Sequence, residues 1–179
     1  FLDASLAFKD DDSIRFAFVG GGVGKREVEE HIRQHQLRNV VSLPHQPLSE
    51  LKNSLTAADV HIVSLGNGMV GIIHPCKVYG AMAAARPILY LGPPQSHVTD
   101  LLDRHQFGWQ ITHGDVEGAI KTIDTILATP RSALVEMGLA AKAVLHESLS
   151  QSILCGRLAD RVESTFHLRN IQPLPSPPV

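Results

Sequence analysis

Four consecutive residues, His74-Pro75-Cys76-Lys77, follow a loop that is interrupted by glycines at positions 66, 68 and 71. Proline is favoured at the first position of a helix, because its missing N–H group would have no intrahelical partner there. His74 is a weaker N-cap than Ser, Thr, Asp or Asn, so the first N–H groups of such a helix stay available beside the charge of Lys77. We therefore predict a helix that begins at Pro75 and an anion site, typically for phosphate, at its start.

A second glycine-rich segment, Gly20-Gly21-Gly22-Val23-Gly24-Lys25, follows an apolar run. It does not fit the dinucleotide-binding fingerprint, because Lys25 occupies the last glycine position and the next strand ends without an acidic residue. It does not fit a Walker A loop either, because Val19 stands where the first glycine is needed. We expect the backbone of Gly20, Gly21 and Gly22, with Lys25 beside it, to contact a phosphate or a sugar. A plain glycine turn is the alternative.

Other reactive side chains form no recognisable constellation. His31 and His35 are four residues apart on a predicted helix, but no third ligand lies near them in the sequence, so we predict a solvated face and no metal site. Cys76 has no His or acid at the spacing of a catalytic pair, which argues against a nucleophile. The remaining histidines, including His97, are scattered.

Short apolar runs alternate with amphipathic stretches along the chain, which predicts a doubly wound parallel α/β sheet. Because parallel strands end at one edge of a sheet, we expect four loops to meet there: 20–24, 44–47, 66–74 and 92–97. The predicted strands are 14–19, 39–43, 60–65, 88–91 and 109–111, and the predicted helices are 1–8, 25–35, 48–57, one from Pro75, 96–105, 116–128, 131–147 and 149–167.

The composition limits the class of protein. The 179 residues carry 16 Lys and Arg against 18 Asp and Glu, so nothing in the charge indicates a nucleic-acid partner. Two widely spaced cysteines favour a reduced, cytoplasmic setting. No apolar run is long enough to span a membrane. We predict one domain over 1–167 and a Pro-rich flexible tail over 168–179, and a start at Phe1 leads us to expect a longer parent protein.

Four segments, in order, resemble the C-terminal domain of family 4 retaining glycosyltransferases, which have the GT-B fold. The resemblance extends over about residues 1–165 and is nearest to the subgroup that makes bacterial surface polysaccharides, whose Pro-Ser-Lys-x-Tyr sequence is similar to Pro75-Cys76-Lys77-Val78-Tyr79. The segments are Phe16-Ala-Phe-Val-Gly-Gly-Gly22, Val41-Ser-Leu-Pro-His-Gln-Pro47, Ala57-Ala-Asp-Val-His-Ile-Val-Ser-Leu65 and His74-Pro-Cys-Lys-Val-Tyr-Gly-Ala-Met-Ala-Ala-Ala-Arg-Pro87.

The resemblance implies that this domain binds a UDP- or GDP-sugar donor. The base would lie near the 44–47 loop, and the diphosphate would rest on the 20–25 loop and on the start of the helix after His74. No metal or other cofactor would be needed, because the helix dipole and basic side chains would neutralise the leaving diphosphate. The implied donor-binding residues are Gly20, Gly21, Gly22, Lys25, His45, Gln46, Gly71, His74, Pro75, Cys76, Lys77 and Tyr79.

The same resemblance implies parts that this sequence lacks. The family's first strand, its catalytic residues and its N-terminal acceptor domain would precede Phe1, so the fragment alone would be inactive. The acceptor would be a glycan or a lipid-linked glycan, and the full protein would lie at most peripherally on a membrane.

Three departures from the family pattern stand out. Ile72 and Gly80 occupy the positions of a usual glutamate pair, whose second member holds the ribose, and Ala85 replaces a frequent glycine. The alternatives left open are an enzyme like the sugar-nucleotide 2-epimerases and a non-enzymatic α/β binding module. A nicotinamide-dependent oxidoreductase is disfavoured by the missing acidic residue.

Overall fold

The structure, a computed structural model, describes residues 1–169. Backbone contacts divide the chain into two compact units, the first over Phe1–Lys142 and the second from Ala143 onward. Of the tail predicted over 168–179, residues 168 and 169 belong to the last helix. The rest of the predicted tail, from position 170, lies outside the described residues. The predicted domain boundary at 167 stays a prediction.

Strands and helices alternate in the first unit, which confirms the α/β prediction. Each predicted strand is present and four residues long. The strands are β1 (Phe16–Val19), β2 (Val40–Leu43), β3 (His61–Ser64), β4 (Ile88–Leu91) and β5 (Gly108–Ile111). The helices are α1 (Leu2–Ser5), α2 (Lys25–His35), α3 (Leu51–Thr56), α4 (Lys77–Ala83), α5 (His97–His105), α6 (Val116–Ala128), α7 (Arg131–Ser148) and α8 (Gln151–Arg169), with 3₁₀ turns at Leu6–Phe8, Leu48–Glu50 and Asn67–Met69.

All strand pairs described are parallel, as predicted, and they form two groups. β1 pairs with β2, and β3 pairs with β4, which pairs with β5. In a doubly wound sheet of order 3-2-1-4-5-6, two such groups are separated by the place of the first strand.

A cluster of buried hydrophobic side chains joins the two strand groups. Phe16 of β1 and Val40 of β2 belong to the same buried cluster as Leu89 of β4 and Ile111 of β5, and α6 contributes Ala119. Burial of these side chains is the main favourable contribution to folding of the unit. Because the core fixes both groups, their carboxyl ends have defined positions.

The helix predicted over residues 1–8 is divided in the structure. α1 ends at Ser5, and a 3₁₀ turn continues to Phe8. The buried side chain of Asn39 donates hydrogen bonds to the carbonyl oxygens of Ser5 (3.0 Å) and Phe8 (2.9 Å). These two carbonyls thus have a partner in the segment before β2, which supports the tighter turn.

The prediction that α4 begins at Pro75 is wrong, because α4 begins at Lys77 and Cys76 is its N-cap. The backbone before it forms tight turns, with Cys76 N–H donating to the His74 carbonyl and Val78 N–H to the Pro75 carbonyl. Proline fits these turns as well as a first helical position, since both need the same φ.

Candidate functional site

The carboxyl end of β1 leads into a segment whose backbone conformation suits glycine. Gly20 and Gly22 have φ of +129° and +117°, values that side chains rarely tolerate. The His45 imidazole, from the loop after β2, lies beside Gly20 and Gly21, so a Cβ on Gly21 would lie 3.0 Å from His45 Nε2. The structure therefore brings Gly20, Gly21 and His45 together, as the predicted donor site requires.

Lys25 contacts the protein's own backbone at this place. Its ammonium group donates to the carbonyl oxygens of Gly20 and Leu43, each at 3.1 Å, and lies 3.6 Å from a Glu29 carboxylate oxygen. These contacts tie the ends of β1 and β2 together. The role of Lys25 as a phosphate ligand stays a prediction, and a phosphate would have to compete with these partners. Gln46 donates to the Pro44 carbonyl at 3.0 Å and is exposed.

The loop after β3 forms the second part of the site. A 3₁₀ turn spans Asn67–Met69, and Gly71 has a φ of +77°. The expectation that His74 is the N-cap and leaves the first N–H groups free is wrong. Cys76 is the N-cap and its side chain accepts no capping hydrogen bond, but the N–H groups of Cys76, Val78 and Tyr79 donate to the carbonyls of His74, Pro75 and Cys76. Lys77 is the first residue of α4 and is exposed, so its charge lies at the N-terminal end of this helix.

A cavity of about 420 Å³ lies between this loop and the start of α5. That volume is within the range of small-molecule sites, roughly 300–1,000 Å³. Predicted site residues Gly71, His74 and Pro75 line it, and so does Ile72, one of the two positions where a glutamate is usual. The complete lining is Leu65, Val70, Gly71, Ile72, Ile73, His74, Pro75, Ser96, His97 and Val98.

Three polar side chains meet at this cavity. His74 Nε2 lies 2.7 Å from the Tyr79 hydroxyl, and His97 Nε2 lies 3.5 Å from the same hydroxyl. The two imidazole rings are 4.7 Å apart between centroids. Ser96 fixes the start of α5 through a capping box with Thr99, which holds His97 at the cavity.

Burial and neighbouring groups shift two of these pKa values. Partial burial, followed by the Cys76 thiol, raises the pKa of Tyr79, so the phenol keeps its proton at neutral pH. Burial, and then repulsion from a protonated His74, lowers the pKa of His97, while Asp100 opposes the shift and Arg104 adds to it. At neutral pH His97 is therefore a neutral imidazole.

The lowered pKa of His97 predicts a pH dependence of stability. The folded state resists protonation of His97, so the stability from its neutral form is complete above the unfolded pKa, about 6.5, and is lost as pH falls below it. We expect His97→Gln to lose less stability than the wild type between pH 7 and pH 5. Urea unfolding at both pH values measures this difference, and equal losses in the two proteins would contradict it.

The sequence analysis missed His97 because its partners, His74 and Tyr79, are distant along the chain. Its only sequence signal is its place at the end of the 92–97 loop, directly after a Ser that suits an N-cap. The structure brings the four expected loops together in two pairs, 20–24 with His45 and 66–74 with 96–98. That all four meet at one ligand stays a prediction.

Comparison with curated proteins supplies relatives over most of the chain. The chain is 30% identical over 156 residues to the probable glycosyltransferase WbjE of Pseudomonas aeruginosa. It is 23% identical over 155 residues to the putative colanic acid biosynthesis glycosyltransferase WcaL of Escherichia coli K12. The curated relatives of this chain are glycosyltransferases. These matches cover 87% and 85% of the chain, which spans 38% of the length of each relative. No protein-family model matches the chain.

Solved GT-B glycosyltransferases share the fold. TarM superposes with a TM-score of 0.69 at 18% identity, over 88% of this chain and 31% of TarM. HepE of Anabaena, in complex with UDP and glucose, superposes with a TM-score of 0.70 at 15% identity, over 91% of this chain and 43% of HepE. The chain thus has the fold of part of a GT-B glycosyltransferase, which confirms the expectation drawn from the four sequence segments.

Residues 1–169 lack two kinds of structural feature. No helix there is long and apolar enough to cross a bilayer. No group of three or more His, Cys, Asp or Glu side chains in the same residues is placed to hold a metal ion, and His31 and His35 remain a pair with ring centroids 4.6 Å apart.

Proposed function

We propose that this chain binds the nucleotide-sugar donor of a glycosyltransferase. The observation that carries the proposal is the match to WbjE along 87% of the chain, together with a cavity at the carboxyl end of β3. Ligands of open α/β sheets bind at this edge. HepE, which shares the fold, is known in complexes with UDP and with UDP-glucose, which favours a UDP-sugar over a GDP-sugar.

The two parts of the site suit the two ends of such a donor. The glycine backbone of the 20–24 loop and His45 would contact the nucleotide, while Lys77, at the N-terminal end of α4, would face the diphosphate. A diphosphate is acceptor-only, so it needs N–H groups and cations of this kind. Exposed Lys77 has the freedom to reach it, whereas Lys25 is already bonded to two carbonyls.

In the whole protein, the donor sugar would pass to a glycan or a lipid-linked acceptor that an N-terminal domain binds. We propose retention of configuration and independence of a metal, because the helix N-terminus and Lys77 can neutralise the leaving diphosphate. A cytoplasmic location, peripheral at the membrane, fits the nucleotide-sugar supply and a lipid-linked acceptor. The catalytic residues would lie outside this chain, which alone would be inactive.

Calorimetric titration with UDP, GDP and their sugars tests donor binding. We expect weak but saturable binding of UDP and UDP-sugars by the 179-residue chain, because it spans 38% of the length of its curated relatives. Hydrolysis and transfer assays should show no activity. The absence of binding of every nucleotide up to millimolar concentrations would contradict the donor-site proposal.

Removing the charge of Lys77 should weaken this binding. Loss of a charge-assisted hydrogen bond to phosphate costs about 1.5–3 kcal/mol, so Lys77→Ala should raise the Kd for UDP by roughly 10- to 150-fold. Lys121→Ala, on the exposed face of α6, is the matched control and should leave the Kd unchanged. If Lys77→Ala and Lys121→Ala bind UDP equally, Lys77 does not contact the diphosphate.

A further inference from the structure

The hydrogen-bond directions at the His74–Tyr79–His97 cluster determine what each imidazole can offer to a ligand. The Tyr79 hydroxyl has one hydrogen, and its shorter contact is the 2.7 Å contact to His74 Nε2. Donation along this contact makes His74 Nε2 an acceptor, so the neutral ring carries its hydrogen on Nδ1. The hydroxyl oxygen then accepts from His97 Nε2 at 3.5 Å, which leaves His97 Nδ1 without a hydrogen. These tautomers follow from the hydrogen-bond network.

With these tautomers His74 has a ring donor at Nδ1 and His97 a ring acceptor at Nδ1, and both residues line the cavity. A phosphate oxygen is an acceptor and would be repelled by an unprotonated His97 Nδ1. A sugar hydroxyl donates one hydrogen and accepts others, so it complements a donor and acceptor pair. The lowered pKa of His97 supports the same assignment, because a neutral imidazole gains little from an anion. The charged and titratable groups that surround His97 are His74, Tyr79, Asp100 and Arg104.

Part of the cavity lining is apolar and exposed. Val70, Ile72 and Ile73 form this part, with 44%, 73% and 56% of their surfaces exposed. Small-molecule sites typically combine apolar walls with a few placed polar groups. The C–H face of a sugar ring fits such a wall while its hydroxyls face the imidazoles.

We propose that this cavity holds the sugar ring of the donor and that His97 is a specificity-determining residue that accepts a hydrogen bond from a sugar hydroxyl. The proposal rests on the proposed donor-binding function and adds to it the contact that selects the sugar. It also gives the sugar a polar contact in a cavity where Ile72 replaces the usual glutamate.

Comparison of UDP with UDP-glucose separates this proposal from donor binding in general. For the wild-type chain, the sugar should increase affinity over UDP alone. His97→Ala should keep the Kd for UDP within twofold of wild type and raise the Kd for UDP-glucose about three- to tenfold, the loss of one neutral hydrogen bond. His97→Asn, whose amide oxygen can accept the same hydrogen, should recover part of the loss. UDP-galactose, which differs at one hydroxyl, should respond differently if that hydroxyl faces His97.

His105→Ala is the matched control, because His105 is an exposed imidazole at the other end of α5. It should leave both affinities unchanged, and thermal unfolding of each variant shows whether α5 is intact. If wild type binds UDP but UDP-glucose binds no more tightly, the cavity does not hold the sugar, although the donor-site proposal stands. Equal losses for UDP and UDP-glucose, or no loss for either, in His97→Ala would overturn the role of His97. No binding of UDP to wild type would overturn both proposals.

Discussion

Gly138→Ala is expected to destabilise the protein by about 2–3 kcal/mol, although alanine favours a helix interior over glycine by about 1 kcal/mol. Gly138 lies in α7, and a Cβ there would be 2.0 Å from the carbonyl oxygen of Ala85 and 2.5 Å from its carbonyl carbon. These are backbone atoms that no rotamer change can move. Ala85 itself has a φ of +53°, so the chain leaves α4 in a left-handed turn and passes directly beneath the helix.

Gly156→Ala provides the matched control, since Gly156 is also inside a helix and a Cβ there would meet nothing within 4 Å. It should leave stability unchanged or raise it by up to about 1 kcal/mol. Urea unfolding followed by circular dichroism measures both variants, and the melting temperature of Gly138→Ala should fall by roughly 4–12 °C. A Gly138→Ala protein as stable as Gly156→Ala would mean that α7 and the turn at Ala85 separate at little cost.

Sequence patterns predict elements well where local chemistry is sufficient. α2 was predicted at Lys25–His35 and is found there, because its charged and apolar residues alternate with helical periodicity. α5 begins directly after Ser96, whose side chain caps it. The start of α4 was wrong by two residues, because Pro75 suits a tight turn as well as a helix. The sequence pattern does not predict that the strands divide into two groups, because strand pairing depends on contacts between distant segments.

Contacts between distant segments also limit what the sequence predicts about the site. The glycines at 20 and 22 indicate positive φ values already in the sequence, because few other residues tolerate such values. Lys25 and Lys77 look alike in sequence, each beside a glycine-rich loop, yet only the structure shows that Lys25 is bonded to the carbonyls of Gly20 and Leu43. His97 joins the site only through the fold, which places the start of α5 against the loop after β3.

Asn39→Asp is expected to lower the free energy of unfolding by about 3–5 kcal/mol at pH 7. Asn39 is fully buried, and its amide nitrogen donates to the carbonyls of Ser5 and Phe8. Aspartate has the same shape but brings oxygens to two carbonyl oxygens. If the carboxyl group is ionised, it is a buried charge without a partner. If it is protonated, it has a single hydrogen to donate to the two carbonyl oxygens. Either state costs more than the loss of a hydrogen bond alone.

Two control substitutions separate the charge from the lost donors. Asn39→Ala removes both hydrogen bonds without adding charge and should cost about 2–3 kcal/mol at any pH. Asn67→Asp makes the same change at an exposed position of the 3₁₀ turn after β3 and should cost no more than about 0.5 kcal/mol. Burial raises the pKa of a carboxyl group, so the carboxyl group of the Asn39→Asp variant should take up a proton as pH falls toward 5. The gap in free energy of unfolding between Asn39→Asp and Asn39→Ala should then narrow. A gap that is absent at pH 7 would show that water reaches position 39.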